Sequence, residues 1–576
     1  MKNQLLLGLF ACIVSSIVCA QTAWITEIKG TGWDLIHDMK LDASGNAVVC
    51  GRFEGTSDFD PTAGVFDLTS AGSFDGFVAK YDVNGNLLWA RAMGGSDPDI
   101  LASLALDDAG NIALYGWFEG TADLDPTSGT QSTTSAGWRD GCVIKLDANG
   151  DLLWAFAVEN TEQCYGGDIA FSSFNGDVVV TGYYETSIDL DPNGSFVLNA
   201  DLDGIVEENT LFMARYDANG DLLWGHKLAG NEMPHVDVFA NGGNEVINWC
   251  AAGIDQSTSP SDLDPGGGTV HPVAGSGGTV MHYLVVAQYD PNGNYIWSDV
   301  TAVEYSSAGT NPPDPDLWDL ATDTNGNILI AGSIHQDYST YAPNQASIAH
   351  LGLTRDGFVL KYDSNGALLW EKMVGGADLD DEAVTDVTMD ASGNVWIVSA
   401  VRTDADVNLG GTSVLVGVLQ ETDVVVVQYD ANGNYLWHGI AGGDWYDSGV
   451  RIAFWNGDAV LAGSYATFGG TADLDITSAT TTHTAIGLYD GFLTRFTPSV
   501  STSIATMSDA VDPIFYPNPA NDRITFVNVA MPIEVFDAHG QHVFTTRERT
   551  IDVSTWAEGI YFLKCGPDIG RLIIHH

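Results

Sequence analysis

The sequence predicts an all-β chain: a seven-bladed β-propeller closed by pairing of its N- and C-terminal strands, followed by a small β-sandwich. Three observations carry this. The pattern DGFVAKYDVNGNLLW, Asp75 to Trp89, returns at Asp140 to Trp154, Leu211 to Trp224, Tyr283 to Trp297, Asp356 to Trp370 and Asp423 to Trp437. A half-copy, DGFLTRF (Asp490 to Phe496), lacks the tryptophan, and the missing half stands at the other end as AWITEI around Trp24. Six whole copies and two matching halves make seven, and a hairpin divided between the ends can form only if the chain closes into a ring, the joint that removes free sheet edges.

Each element follows from local chemistry. Phe77, Ala79 and Tyr81 alternate with Val78, Lys80 and Asp82, the two-residue period of a strand. Val83-Asn84-Gly85 supplies a turn in which Gly takes positive φ, so a type I turn with a Gly bulge is expected. Leu87, Leu88 and Trp89 start the return strand. Between copies come a glycine break such as Gly94-Gly95, a short strand, a D-x-x-G-N turn (Asp42 to Asn46, Asp323 to Asn327, Asp390 to Asn394) and a second strand. That is four strands per unit. The tryptophans at 24, 89, 154, 224, 297, 370 and 437 lie 65 to 73 residues apart, longer than the roughly 40–50 of common propeller repeats. Long loops are therefore expected. The repeated tryptophan, beside Leu-Leu in every unit, reads as packing between blades rather than as a sugar platform.

The ends have other roles. Residues 1–20 read as a signal peptide, with Lys2, an apolar stretch from Leu5 to Val18, and small residues at Val18-Cys19-Ala20. Residues 21–498 form the propeller, 499–512 a small polar linker, and 513–576 a separate module. Five cysteines remain after the signal, Cys50, Cys142, Cys164, Cys250 and Cys565, scattered and without CxxC spacing, as small core residues are. The balance of 21 Lys+Arg against 76 Asp+Glu, net −55, argues against nucleic acid and anionic lipid as partners. No later stretch has the roughly 20 apolar residues of a membrane span.

The repeat resembles the seven-bladed β-propeller (SBBP-type) repeats of secreted bacterial proteins, on D-G-F-V-x-K-Y-D-x-N-G-x-L-L-W and D-x-x-G-N across roughly Trp24 to Phe496. The ending is similar to the type A C-terminal sorting domain of the Bacteroidetes type IX secretion system. The matching features are Tyr516-Pro517-Asn518-Pro519-Ala520, then Val535-Phe536-Asp537 with Gly540, then Gly559-Ile560-Tyr561-Phe562-Leu563-Lys564. The first resemblance implies a propeller at the surface or secreted. The second implies an Ig-like β-sandwich, contact with the type IX machinery, and residence outside the outer membrane.

Alternation of turns places the D-x-x-G-N and D-x-N-G turns on one face of the disc and the longer acidic loops on the other. Those loops carry D-x-D at Asp58/Asp60, Asp123/Asp125, Asp189/Asp191, Asp262/Asp264, Asp404/Asp406 and Asp473/Asp475. Paired carboxylates are candidate Ca²⁺ ligands; the other reading is a turn capped by the first Asp. No HExxH, G-x-S-x-G or phosphate-binding glycine loop is present, and no catalytic residues are nominated. The expectation is a monomeric, non-catalytic binding or adhesion protein for extracellular glycan or protein, with Ca²⁺ as its one candidate cofactor. The rivals are a polysaccharide-degrading enzyme using the channel mouth and a structural component of the envelope or matrix.

Overall fold

The computed structural model describes residues 21–498 and 515–574 apart from internal stretches, the longer ones being 201–209, 256–262, 265–279, 306–314, 336–354, 376–381, 417–421, 517–521, 527–532 and 537–541. The expected signal (1–20), the linker (499–512), Asp262 and Asp404 lie outside the described residues. The chain divides into two compact units, Met1–Val500 and Ser501–His576.

In the first unit the described strands fall into antiparallel groups of four; three groups stand as separate sheets, and further pairings join the others into a 14-stranded and a six-stranded sheet. Their first strands are Leu35–Leu41, Asp99–Leu106, Cys164–Phe171, Glu232–Asn241, Pro315–Thr322, Ala383–Met389 and Ser448–Trp455. Each of these packs against the next and the seventh packs against the first, so they line a central axis and the other strands radiate outward. The last sheet is composite. Asp458–Tyr465 pairs with Asp490–Thr497, which pairs in turn with Gln21–Gly30 in the register Ile25↔Thr494, Thr26↔Leu493 and Glu27↔Phe492. The expected closure is present, and its strand begins at Gln21.

Apolar clusters lie between neighbouring sheets rather than inside one. One joins Val48, Cys50 and Val78 to Leu114, Cys142 and Ile144 of the next blade, and another joins Val398 and Val426 to Leu461 and Phe492. Cys50, Cys142, Cys164 and Cys250 are buried free thiols in this packing, as expected.

The repeated motif also latches each blade to the next. The indole Nε1 of Trp24 donates to the Val83 carbonyl (2.9 Å), Trp154 to Ala218 (2.9 Å), Trp224 to Pro291 (3.0 Å) and Trp370 to Ala431 (3.0 Å). Each acceptor is the residue after the Asp in the following blade's D-x-N-G turn. The turn glycine lies flat on the same indole: a methyl group on Gly150 would sit 3.0 Å from the Trp89 ring, and φ there is +79°. Inside the turn, Asp82 Oδ1 accepts the N–H groups of Asn84 (2.8 Å) and Asn86 (2.9 Å). Buried Lys80 pairs with Asp42 of its own first turn (2.9 Å) and reaches the Ala148 carbonyl of the next blade (3.4 Å).

The second unit contains a three-stranded sheet (Phe515–Tyr516, Arg523–Phe526, Thr550–Asp552) and a four-stranded one (His542–Thr546, Ile533–Phe536, Gly559–Cys565, Asp568–Ile574). Ile524, Val535, Ile551 and Leu563 fill the space between them, a β-sandwich.

Two glycine substitutions separate the latch from backbone strain. At Gly393 (φ +80°) nothing stands within 4 Å of an added methyl group, so Gly393→Ala loses only the left-handed preference, about 1 kcal/mol. Gly150→Ala adds the collision with Trp89 and is expected to cost about 2–3 kcal/mol. Urea midpoints of the two variants check this; equal losses contradict the latch.

Candidate functional site

The acidic loops are arms. Past the blade proper, the second and third strands run on as a narrow hairpin that pairs with the outer strand of the preceding blade. Asp58 lies opposite Lys29, Asp123 opposite Gly94, Asp189 opposite Glu159 and Asp473 opposite Gly442. The first carboxylate closes each hairpin. Asp58 Oδ1 accepts N–H groups from Asp60 and Phe66 (both 2.9 Å), Asp123 from Asp125 (3.1 Å) and Gln131 (2.7 Å), Asp189 from Asp191 (3.2 Å) and Phe196 (2.7 Å), and Asp473 from Asp475 (3.1 Å) and Thr481 (2.9 Å). In the sixth blade this role falls to Asp406, which accepts from Asn408 and Val414 (both 2.9 Å), two residues later than the D-x-D spacing predicts. The second carboxylates turn the loop tip: Asp125 and Asp475 each accept the N–H and hydroxyl of the Thr two residues on, and Asp191 accepts the N–H of Asn193.

The residue after the hairpin-closing acid is anchored from below. The hydroxyls of Tyr81, Tyr216, Tyr289 and Tyr429 donate to the carbonyls of Phe59, Leu190, Leu263 and Val407 at 2.7–3.1 Å. Asp264 follows Leu263 in the same position. Phe496 replaces the tyrosine in the last blade, and Thr494 Oγ1 holds the Leu474 carbonyl instead (2.8 Å). The described candidate metal residues thus stand on separate blades and are not gathered into one centre. Among the described residues, no three His, Cys, Asp or Glu side chains converge as a metal cluster.

Along the axis, each inner strand contributes one polar side chain to a ring: Asp38, Ser103, Asp168, His235, Asp319, Asp386 and Arg451. The carboxylates bind across to the next strand's backbone. Asp38 accepts from Leu104 (2.8 Å), Asp168 from Val236 (3.2 Å), Asp319 from Val387 (3.0 Å) and Asp386 from Ile452 (2.8 Å). Arg451 Nε lies 2.9 Å from Asp38 and 3.6 Å from Asp386. His235 Nδ1 lies 3.7 Å from Asp168. Burial alone would raise Asp168, but His235 beside it holds that carboxyl well below its ordinary range. Burial and neighbouring Asp319 push Asp386 well up, and burial raises Asp237. A cavity of about 740 Å³ extends from this belt toward the D-x-x-G-N turns, lined among others by Lys40, Asp108, Asp237 and Phe454. The sequence carries a signal for the ring in a polar residue interrupting an apolar strand four positions before the turn Asp, as in Asp38–Asp42, Asp319–Asp323 and Asp386–Asp390.

The opposite face presents different chemistry. From the last blade through the third, aromatic rings and guanidinium groups stand in one row. Tyr489 meets Trp33 (5.0 Å between centroids), Arg52 lies over Trp33 (6.0 Å) and Phe74 (4.5 Å), and Phe74 meets Trp117 (6.3 Å). Arg139 lies over Trp117 (3.6 Å) and Tyr165 (4.8 Å), and Tyr165 stacks on Tyr183 (4.8 Å). Arg139 is paired with Glu119 (2.5 Å), which also accepts the Trp138 indole N–H (3.2 Å). Trp138 is 59% exposed and Trp33 38%, two large apolar side chains left open beside these cations. Arg52, Trp117 and Tyr183 occupy one equivalent position in three successive blades, where the repeat varies.

Residues 514–573 match the secretion system C-terminal sorting domain family, so the chain is a type IX export substrate destined for the cell surface or the medium. An uncharacterised WD repeat-containing protein of Acanthamoeba polyphaga mimivirus is 24% identical over 515 residues, 77% of this chain and 36% of its own length. The regulatory protein FlaEY of Caulobacter vibrioides is 26% identical over 183 residues, 31% of this chain and 18% of its own. The chain thus spans about a third or less of these relatives. Among solved structures, a quinohemoprotein alcohol dehydrogenase of Pseudomonas putida is 10% identical, with a TM-score of 0.36, over 86% of this chain and 80% of that one. At that score the likeness says nothing of chemistry. The first unit is a β-propeller repeat protein, and among the described residues no helix is long and apolar enough to cross a membrane.

Buried acid pairs mark three seams between blades and make stability depend on pH. A methyl group on Gly94 would meet Asp99 Oδ2 at 2.6 Å and Asp75 Oδ1 at 2.9 Å. The Gly95 N–H goes to Asp99 (2.6 Å), leaving Asp75 Oδ1 without a hydrogen bond, and Asp34 Oδ2 and Asp490 Oδ1 at another seam are left likewise. Asp423 and Asp447 flank Gly442 in the same way. Where Cys164 replaces the second acid, Asp140 Oδ1 instead receives the Asn160 N–H (3.0 Å). Burial pushes Asp75 and Asp490 up to about 6, Asp34 to about 7 and Asp99 to about 8. These groups hold their protons more tightly folded than unfolded, where the value is about 3.9. Their contribution is therefore complete below about pH 4 and is lost as pH rises through 6 to 8. Urea unfolding from pH 5 to 9 should show stability falling, and Asp99→Asn should flatten the fall; an unchanged slope contradicts the pairing.

Proposed function

We propose that this protein is a secreted or surface-displayed binding module without turnover, presenting the face that carries the arms and the aromatic row to extracellular glycan or protein. The observation that carries the reading is the contrast between the two ends of the axis. The ring carboxylates are engaged by backbone N–H groups and Arg451, whereas Trp33 and Trp138 stand open at the other mouth. Mature protein, residues 21–576, is expected to be retained saturably on an extracellular glycan and matrix-protein array with no product released. Release of sugar or peptide instead of retention contradicts this reading.

A second reading, polysaccharide cleavage in the cavity, is favoured by one observation: Asp168 is held low while Asp237 and Asp386 are raised, the divergence that separates an acid from a base. Turnover abolished by Asp237→Asn would establish it. A purely structural role in the envelope or matrix predicts neither retention nor turnover.

The candidate calcium ligands of the arms are Asp58, Asp60, Asp123, Asp125, Asp189, Asp191, Asp262, Asp264, Asp473 and Asp475, and in this reading the described arms hold their shape without the ion. Because the first Asp of each described pair already accepts two N–H groups in four arms, melts in millimolar Ca²⁺ and in chelator are expected to coincide within about a degree. A rise of several degrees in Ca²⁺ would show the arms to be metal sites.

A further inference from the structure

We infer that the row from Tyr489 to Tyr183 is the binding site, and that its ligand is an uncharged polysaccharide chain lying along it; this rests on the binding reading above. Seven successive contacts of 3.6–6.3 Å join Tyr489, Trp33, Arg52, Phe74, Trp117, Arg139, Tyr165 and Tyr183 without a break. The row crosses from the closing blade to the third; Trp33 (38% exposed) and neighbouring Trp138 (59%) offer its open faces, while Trp117, 9% exposed, lies under Arg139, and a site spread over several blades suits a chain rather than a small molecule. Flat aromatic faces bury the apolar faces of sugar rings at low conformational cost. The cations between them are themselves fixed, Arg139 between two rings and against Glu119, so little order is lost on binding.

Along one edge of the row stand planar polar groups that match hydroxyls. Glu119 holds Arg139 and Trp138. Gln163 donates to Glu185 (2.9 Å) and accepts from the Tyr165 hydroxyl. Arg52 Nε is buried and makes no hydrogen bond, its guanidinium lying over Trp33 and Phe74.

Charge selects among glycans. A guanidinium beside an exposed tryptophan suits an acidic sugar at short range, but Arg139 is neutralised by Glu119, Arg52 feels the opposite charge of Glu54, and the chain as a whole carries −55. That field repels polyanions and is indifferent to neutral chains. Nucleic acid, which also stacks on aromatics, is excluded on the same ground.

The test is affinity electrophoresis of mature protein, residues 21–576, in gels containing neutral polysaccharides (β-1,3-glucan, xylan, mannan) or acidic ones (alginate, polygalacturonate), at 0.05 and 0.5 M NaCl. Retardation by at least one neutral chain, insensitive to salt, is expected. Trp33→Ala with Trp138→Ala should weaken it about tenfold or more while the circular-dichroism spectrum of the folded protein is retained, since both side chains are partly or largely exposed. Leu153→Ala, at a 52% exposed position on an outer strand, should bind as the parent does. Retardation by acidic chains alone, or by neutral chains but unaltered in the double variant, overturns this inference while leaving the binding reading intact. Retention only by matrix proteins does the same. No retention by any glycan or protein removes both.

Discussion

The structure depends on one pairing: Gln21–Gly30 against Asp490–Thr497, residues more than 450 apart in sequence brought edge to edge. Each four-stranded sheet is apolar on both faces and cannot be solvated alone, so it needs a neighbour on each side. Six seams form between consecutive units, and only the seventh requires the ends to meet. Without it the first and last units would each expose a core face and a free edge, a known route to aggregation. Closure at the outer strand also ties down the first residues of the propeller, which in most chains fray.

Closure explains why the repeat is written as it is. A tryptophan in one copy meets the D-x-N-G turn of the next at Trp24–Val83, Trp154–Ala218, Trp224–Pro291 and Trp370–Ala431. The arms reach the other way, each to the blade before it. One face is thus fastened forward and the other backward, and each blade is held from both sides. A disc fastened in this way supports a site made of single residues from several blades, since neighbouring side chains keep their spacing without a loop to position them.

Much of this architecture was legible in the sequence. The hairpins, the divided motif at the ends and the packing role of the tryptophans followed from period-two alternation, the Asn-Gly turns and their constant spacing. The D-x-D acids were also found, but as possible ligands or turn caps. Their pairing with the preceding blade was not legible, because Lys29 and Asp58, or Gly94 and Asp123, are matched only once the ring exists. The axial ring was visible as Asp38, Asp319 and Asp386 interrupting apolar strands, yet looked like ordinary strand alternation. The aromatic row was hidden for a different reason. Its members Arg52, Trp117 and Tyr183 share a position but not a residue type, and a search for repeats discards what does not repeat.

Closure itself is the claim to measure. Ile25 and Thr494 are directly opposed, and opposed Cα atoms in an antiparallel pair stand about 4.5–5.5 Å apart, within the span of a disulfide. In a chain of residues 21–576, Ile25→Cys with Thr494→Cys should cross-link rapidly under mild oxidant while folded, giving a ring-closed species of faster mobility on non-reducing gels. Neither single variant should do so. A double variant that stays reduced in the native state, and cross-links only after denaturation and refolding in oxidant, would mean that the ends do not meet and the disc is open.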